Sequence, residues 1–529
     1  MILRLLILLG VVNVRDISVT CSDQRFKILA LLPHYGKSHW TVFEPVLEEL
    51  ARRGNNVTVL GHFPREIPMD NYHDITMYES VNRTVNSKDI DAFSSRSYVS
   101  LMMDFVRDGD ESVCRKGLRH PNVQKLIKSD EKFDILITEI FNTDCFLGFV
   151  HKTQLPFVGL RAAPPSPWTN ERIANPDNPS YVPNSLAGKS TRMNFFDRLE
   201  NFSLTLWYKI FYRYHDGICT EIAREHFGEE MPPLEEIASR VSVILSNSHF
   251  AHCFARPLVP GVKEIGGVHI PRNKPLPQDL ESWIAGAEHG VVYFSLGSSL
   301  RTESLSVIKR KAFFDAFAEL PQRVLMKWEG NETKGVPTNV KTVQWSPQFD
   351  VISHPNVRVF ISHGGMLGTT EAVWAGKPML VIPVFGDQPT NAALLEEKGF
   401  AVVLGYSEIT KETLLAALGK VLHDPSYRTT AKKMSEVIRD RLVSPLDEAV
   451  YWIEYVARHR GAPWLKTPAH GMPLYKYLLL DVIGFVIAVS LLSILATCLI
   501  ARRLYVKIMR TTVVAKTINR DVRMKSKRT

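Results

Sequence analysis

The chain has 529 residues, of which 45% are apolar and 22% charged. That is an ordinary globular balance with room for two or three domains, and it excludes wholesale disorder, a collagen-like fibre and a disulfide-stapled miniprotein. The net charge of +9 resides in residues 501–529, where ten Lys/Arg face only Asp521; a neutral body with a basic tail excludes a nucleic-acid footprint spread over a domain.

Residues 2–12, ILRLLILLGVV, are too short to span a bilayer and read as part of a signal peptide over 1–21, with cleavage near Thr20 or Ser22. Phe26–Pro33 is a strand. The polar turn His34–His39 leads into a helix over Trp40–Arg53, stopped by Gly54, and Asn56–Leu60 is the next strand. Strand–turn–helix–strand begins a parallel α/β sheet. Asp134–Thr138, Phe157–Leu160 and Val241–Ser246 repeat the strand pattern, whereas 164–183, with six prolines, reads as a loop.

Residues 22–267 thus form a first Rossmann-like domain, and the proline-interrupted stretch 268–289 is a linker. A second α/β series fills 290–445. Its strands are Gly290–Leu296, Val324–Trp328, Val357–Ile361 and Met379–Val384, and its helices run from about 303 to 319 and over Gly364–Ala375. Two such domains in tandem create a ligand cleft between them. A helical segment, 446–477, leads to an apolar run of 23 residues, 478–500. As a helix it spans roughly 34 Å, enough for a bilayer core of ~30 Å. Arg502-Arg503 and the rest of the tail 501–529 place that end in the cytosol and the body in the lumen. The final KxKxx, with Lys525 and Lys527, reads as an endoplasmic-reticulum retrieval signal. Sequons at Asn56, Asn82, Asn201 and Asn331 agree with a lumenal body. The cysteines at 21, 114, 145, 219, 253 and 498 include no CxxC, which argues against zinc and leaves disulfide pairing open.

Gly36-Lys37-Ser38 and Gly188-Lys189-Ser190 lack the earlier glycine of a phosphate-binding P-loop, and no GxGxxG exists. Asp108-Gly109-Asp110 reads as a solvated acidic turn, not a metal site. The densest constellation is 345–389. There a strand delivers His363-Gly364-Gly365 to a helix start, where exposed N–H groups and the helix dipole make a phosphate site. Glu371, two turns on, suits ribose hydroxyls; Trp345 offers a face to a base; Asp387 and Gln388 suit sugar hydroxyls.

This block, WSPQ…HGG…E…DQ, resembles the signature of membrane-bound animal UDP-glycosyltransferases, and FNTDC (141–145) with GKSH (36–39) resembles the insect branch. The resemblance covers nearly the whole chain. It implies a GT-B fold of two facing Rossmann-like domains and no metal. It also implies an inverting transfer of a hexose, glucose by the insect likeness, from a UDP-sugar to small lipophilic hydroxyl compounds. It assigns Trp345 and Gln348 to uridine, and His363, Gly364, Gly365 and Ser298 to the phosphates. Glu371 then takes the ribose, Asp387 and Gln388 the sugar, and His39 acts as the general base, with His34 a more distant competitor. The family's supporting Asp has no clear counterpart. Direct register points to Glu139, while Asp144 lies near by and is slightly favoured for its shorter side chain. The rival reading is a catalytically silent UDP-sugar-binding or partner-regulating subunit.

Overall fold

Apolar runs rich in Val, Ile and Leu become parallel strands here because helices cover both faces of each sheet. The computed structural model describes residues 24–77, 84–271, 274–330 and 335–527. The expected signal peptide, the sequon asparagines Asn82 and Asn331, and the last two residues of the KxKxx tail lie outside the described residues. The chain divides into a body ending at Thr467 and a C-terminal unit from Pro468 onward.

The first domain holds strands β1 (Lys27–Leu32), β2 (Asn56–Gly61), β3 (Tyr72–Thr76), β5 (Ile135–Glu139), β6 (Phe157–Arg161), β7 (Val243–Ser246) and β8 (Val262–Glu264). They form one parallel sheet in the order β3-β2-β1-β5-β6-β7-β8. Helix α1 (Lys37–Arg52) follows β1 and buries Phe43, Val46, Leu47 and Leu50. The long helix α2 (Phe195–Phe227) starts at Asn194, whose side chain accepts from the backbone of Phe196 and Asp197. The proline-rich stretch expected to be a loop contains the short helix Pro167–Ile173. Proline at the first helical position loses no intrahelical bond, so it did not forbid one.

The second domain holds β9 (Val291–Ser295), β11 (Arg323–Lys327), β12 (Val340–Val343), β13 (Val357–Ser362), β14 (Met379–Val381) and β15 (Ala401–Val403), ordered β12-β11-β9-β13-β14-β15. Helices α3 (Met366–Ala375) and α4 (Gln388–Glu397) follow β13 and β14. The expected linker contributes the helix Gln278–Ala285, whose Leu280 and Ile284 join this domain's core. Two short segments, β4 (Lys88–Asp89) from the first domain and β10 (Leu300–Arg301) from the second, pair with each other and tie the domains together.

Helix α5 (Pro445–Arg458) does not simply lead away from the body. Its Ala449, Val450, Ile453 and Val456 pack into the core of the first domain with Phe43 and Val46 of α1, and Glu454 accepts from Asn55 at 3.0 Å. In the C-terminal unit, one helix, α6 (Leu480–Ser526), carries both the apolar run and the basic tail without a break. It is long and apolar enough to cross a membrane.

The acidic turn expected at Asp108–Asp110 is a correction. Asp108 ends a helix and accepts from the Tyr35 hydroxyl, while Gly109–Lys116 is a π-helical turn. Asp110 is bonded to the buried His215 at 2.7 Å. The sequon at Asn201 is also spent: its side chain is fully buried, donates to the carbonyls of Pro179 and Val182 and accepts from the amide of Asn184.

Candidate active site

In each sheet the strand order reverses once, and a crevice opens where the connections part. In the first sheet the reversal lies between β1 and β5, and in the second between β9 and β13. The segments that leave these four strands, together with those after β12 and β14, carry the candidate residues, and a cavity of about 870 Å³ joins them. His39, Ser298, Trp345, Gln348, His363, Gly365, Glu371, Asp387 and Gln388 all line it. Glu139 and Gly364 lie directly behind that lining.

On the first-domain side, α1 begins just after β1, so the His39 ring projects over the ends of the strands. Its Nδ1 is hydrogen-bonded to Oε1 of Glu139, the last residue of β5. The slight preference for Asp144 is therefore corrected. Asp144 is buried, bonded to Arg172, and accepts from the Tyr212 hydroxyl at 2.8 Å. Chain path decides between them. Glu139 ends a strand adjacent to β1, whereas Asp144 has turned into a short 3-10 segment facing α2. The neighbouring Cys145 is disulfide-bonded to Cys114, which fixes this turn further.

Burial, reinforced by Arg161 and Lys88, holds His39 well below the ordinary imidazole range, so it stands neutral. Burial pushes Glu139 up to about 7, against the opposing pull of His34 and Arg161. His34 is in ring contact with His39 at 4.4 Å, and burial also keeps it neutral. Phe141 forms the floor, its ring 4.4 Å from His39, 4.5 Å from Phe105 and 5.2 Å from the Arg161 guanidinium. Neither Phe141 nor Arg161 was singled out from sequence. The only signal was a lone arginine closing an otherwise apolar strand, FVGLR. Arg161 donates to the Ile140 carbonyl at 3.0 Å and sits 5.3 Å from the Trp168 ring.

On the second-domain side, Gly364 adopts φ +80° and Gly365 caps the start of α3. A side chain on Gly365 would overlap the His363 ring, and one on Gly297 (φ +81°) would come within 2.6 Å of it. These glycines clear the space in which N–H groups and the helix dipole face the cavity. His363 is half-buried, its Nδ1 is out of solvent with no protein partner, and burial with Lys327 lowers it to about 4. Lys327 donates to Asn86 at 2.7 Å, to the Gly297 carbonyl at 2.9 Å and to Glu329 at 2.7 Å, bracing the Ser298 turn from both domains.

Gln348 donates to Glu371 at 2.5 Å, and burial raises the Glu371 carboxyl to about 7. Trp345 remains 59% exposed at the cavity edge, with the Lys327 ammonium 5.6 Å from its ring centroid. Asn391 donates both to Asp387 and to the Gly364 carbonyl at 2.9 Å, coupling the two loops. The Gln388 carbonyl oxygen accepts from Val384 and Phe385, which leaves its amide N–H groups for a ligand.

Known proteins resemble this chain in sequence and in fold. The profile of the family described as UDP-glucoronosyl and UDP-glucosyl transferase matches residues 27–516. UDP-glycosyltransferase UGT5 of Dactylopius coccus is 41% identical, over 89% of this chain and 90% of its own. UDP-glucosyltransferase 2 of the same insect is 39% identical, over 90% and 92%. Human UDP-glucuronosyltransferase 1A1 is 33% identical, over 88% and 89%. Among solved structures, the calicheamicin glycosyltransferase CalG4 superposes with a TM-score of 0.54 over 82% of this chain and 99% of its own, at 18% identity, and so shares the GT-B fold. With a matching profile over most of its length and two facing parallel sheets around one cleft, the chain belongs to the UDP-glycosyltransferase family.

Proposed function

We propose that this enzyme transfers glucose from UDP-glucose to a hydroxyl of small lipophilic acceptors with inversion at the anomeric carbon. The observation that carries the reading is the His39–Glu139 pair on one wall of the cavity, opposite the glycine-lined start of α3 on the other. His39 Nε2 takes the acceptor proton while Nδ1–H donates to Glu139, which fixes the tautomer and balances the imidazolium as it forms. The hydroxyl oxygen attacks the anomeric carbon from the side of the first domain. The bond to UDP breaks on the opposite face, and the departing phosphate gains charge where the α3 N-terminus and Gly365 N–H favour it. Glu371 and Gln348 hold ribose and uracil against Trp345, and Asp387 and Gln388 hold the sugar. Aromatic side chains (Phe105, Phe141, Trp168 and Tyr208) line the acceptor side, which suits apolar, ring-bearing acceptors.

Glucose rests on the insect relatives, one of which is named a glucosyltransferase. No step calls for a metal, and turnover is expected to survive a chelator. The test is purified protein with UDP-glucose, UDP-glucuronate or UDP-N-acetylglucosamine and a panel of phenols, products read by mass spectrometry. Glucosides as the major product support the proposal; glucuronides or no transfer refute it. A silent binding subunit would leave His39 without a task, and the paired, cavity-facing imidazole favours the enzyme.

A further inference from the structure

Arg161 closes β6 as a buried cation without a counter-ion among the described residues. Only 5% of it is exposed. Its Nε donates to the Pro164 carbonyl at 3.5 Å and its Nη1 to the Ile140 carbonyl at 3.0 Å, and no described residue accepts from Nη2. Burial lowers its pKa, while Glu139 and Asp387 pull the other way from beyond ion-pair distance; a guanidinium stays charged all the same. The nearby Arg172, buried to a similar degree, has a bonded carboxylate in Asp144. That is the usual condition for a buried arginine. Leaving such a charge unpaired is destabilising, which points to a partner from outside the chain.

The guanidinium borders the cavity, and so do the two rings that grip it, Phe141 at 5.2 Å and Trp168 at 5.3 Å. Trp168 is itself backed by Tyr212, with centroids 4.4 Å apart and planes within 11°. Stacking fixes the plane of the fork, so little freedom is lost when it pairs with a flat anion. The Phe141 ring also contacts His39, at 4.4 Å. The base and the unpaired cation therefore share one aromatic neighbour.

We propose that Arg161 is an anion site for the acceptor, and that the preferred acceptors are aromatic hydroxy acids. The acceptor ring lies along Phe141, its hydroxyl faces His39 Nε2, and its carboxylate accepts from Nη2 of Arg161. This rests on the transferase reading above and narrows its acceptors, from rings in general to rings that carry a negative charge. The acid neutralises the buried cation as it enters. A ring held at both ends also keeps its hydroxyl oxygen aimed at the anomeric carbon.

The test compares 3-hydroxybenzoate with its methyl ester, which differ in charge and little in shape, on the full chain in detergent micelles at neutral pH. UDP binding by each variant verifies its fold. Acceptor binding comes first, by calorimetry with UDP present, and needs no transfer. The parent should hold the acid at least roughly tenfold more tightly than the ester, as expected for one charge-assisted pair. Arg161→Met should abolish that preference and Arg161→Lys should keep part of it. With UDP-glucose, the acid-over-ester ratio of kcat/KM should move in parallel. A parent that binds both alike, or an Arg161→Met that weakens both alike, overturns the proposal. An acid preference that Arg161→Met removes, with no product from UDP-glucose, sinks the glucose assignment and upholds the anion site. An unchanged acid-over-ester ratio in Arg161→Met, with weaker use of UDP-glucuronate relative to UDP-glucose, assigns the guanidinium to the donor and overturns the proposal.

Discussion

Glu139 reaches His39 despite its extra methylene because it ends a strand next to β1, at the reversal point over which α1 starts. Turnover should therefore fall by roughly 10²–10⁴ in His39→Ala and nearly as far in Glu139→Gln, with UDP affinity kept. Asp144→Ala should act differently. It leaves Arg172 buried and unpaired, costing about 3–5 kcal/mol, so a lowered Tm is expected while turnover per folded molecule stays close to the parent's. The raised Glu139 carboxyl adds a pH dependence. Protonation grows as pH falls through about 7, and the protonated acid no longer accepts from His39. At saturating donor, kcat should decline below pH 7, and Glu139→Gln should flatten that limb at a low rate. His39, Glu371 and Asp387 were legible in the sequence because each sits at a fixed offset from a glycine or strand end. Arg161 and Phe141 were not, since their meaning comes from β6 and β5 lying side by side. Glu371→Ala should weaken UDP binding roughly ten- to hundredfold through the lost ribose contact, whereas Asp387→Ala should leave UDP affinity and reduce transfer. Equal loss of UDP binding in both, measured by calorimetry, refutes the division of labour.

The start of α3 is an element whose function lies in what is missing from it. A methyl group on Gly365 would strike the His363 ring, which under the proposed function borders the space for phosphate. Gly365→Ala should lower UDP affinity at least tenfold with Tm nearly unchanged, because the clash involves the cavity and not the core. This glycine pair was readable as a turn before a helix, and the helix began two residues later than its glycines suggested. Helix α2 was not anticipated from the sequence. Half of its buried face is polar and its exposed face is apolar, so the usual rule of apolar inside assigns the wrong orientation. Its sequon is a related trap. Asn201 satisfies three backbone groups from inside the body, and peptide mapping by mass spectrometry should find it without glycan.

At the scale of the whole molecule, the tandem α/β domains were legible from the two strand series and the proline-rich stretch between them. The return of α5 to the first domain was not, because no local pattern records which distant sheet a helix will cover. If the body lies in the lumen, protease added to sealed microsomes should remove only the basic tail; digestion of the body would refute that topology. The return of α5 also orders the birth of the protein. Most of the first domain leaves the ribosome by residue 267, but the helix that seals its core ends at Arg458, roughly 190 residues later. At ~5–20 residues per second that is about 10–40 s of synthesis. Throughout it, the apolar surface of α1 that α5 will cover is bare, so the nascent first domain is expected to engage chaperones until the second has been made.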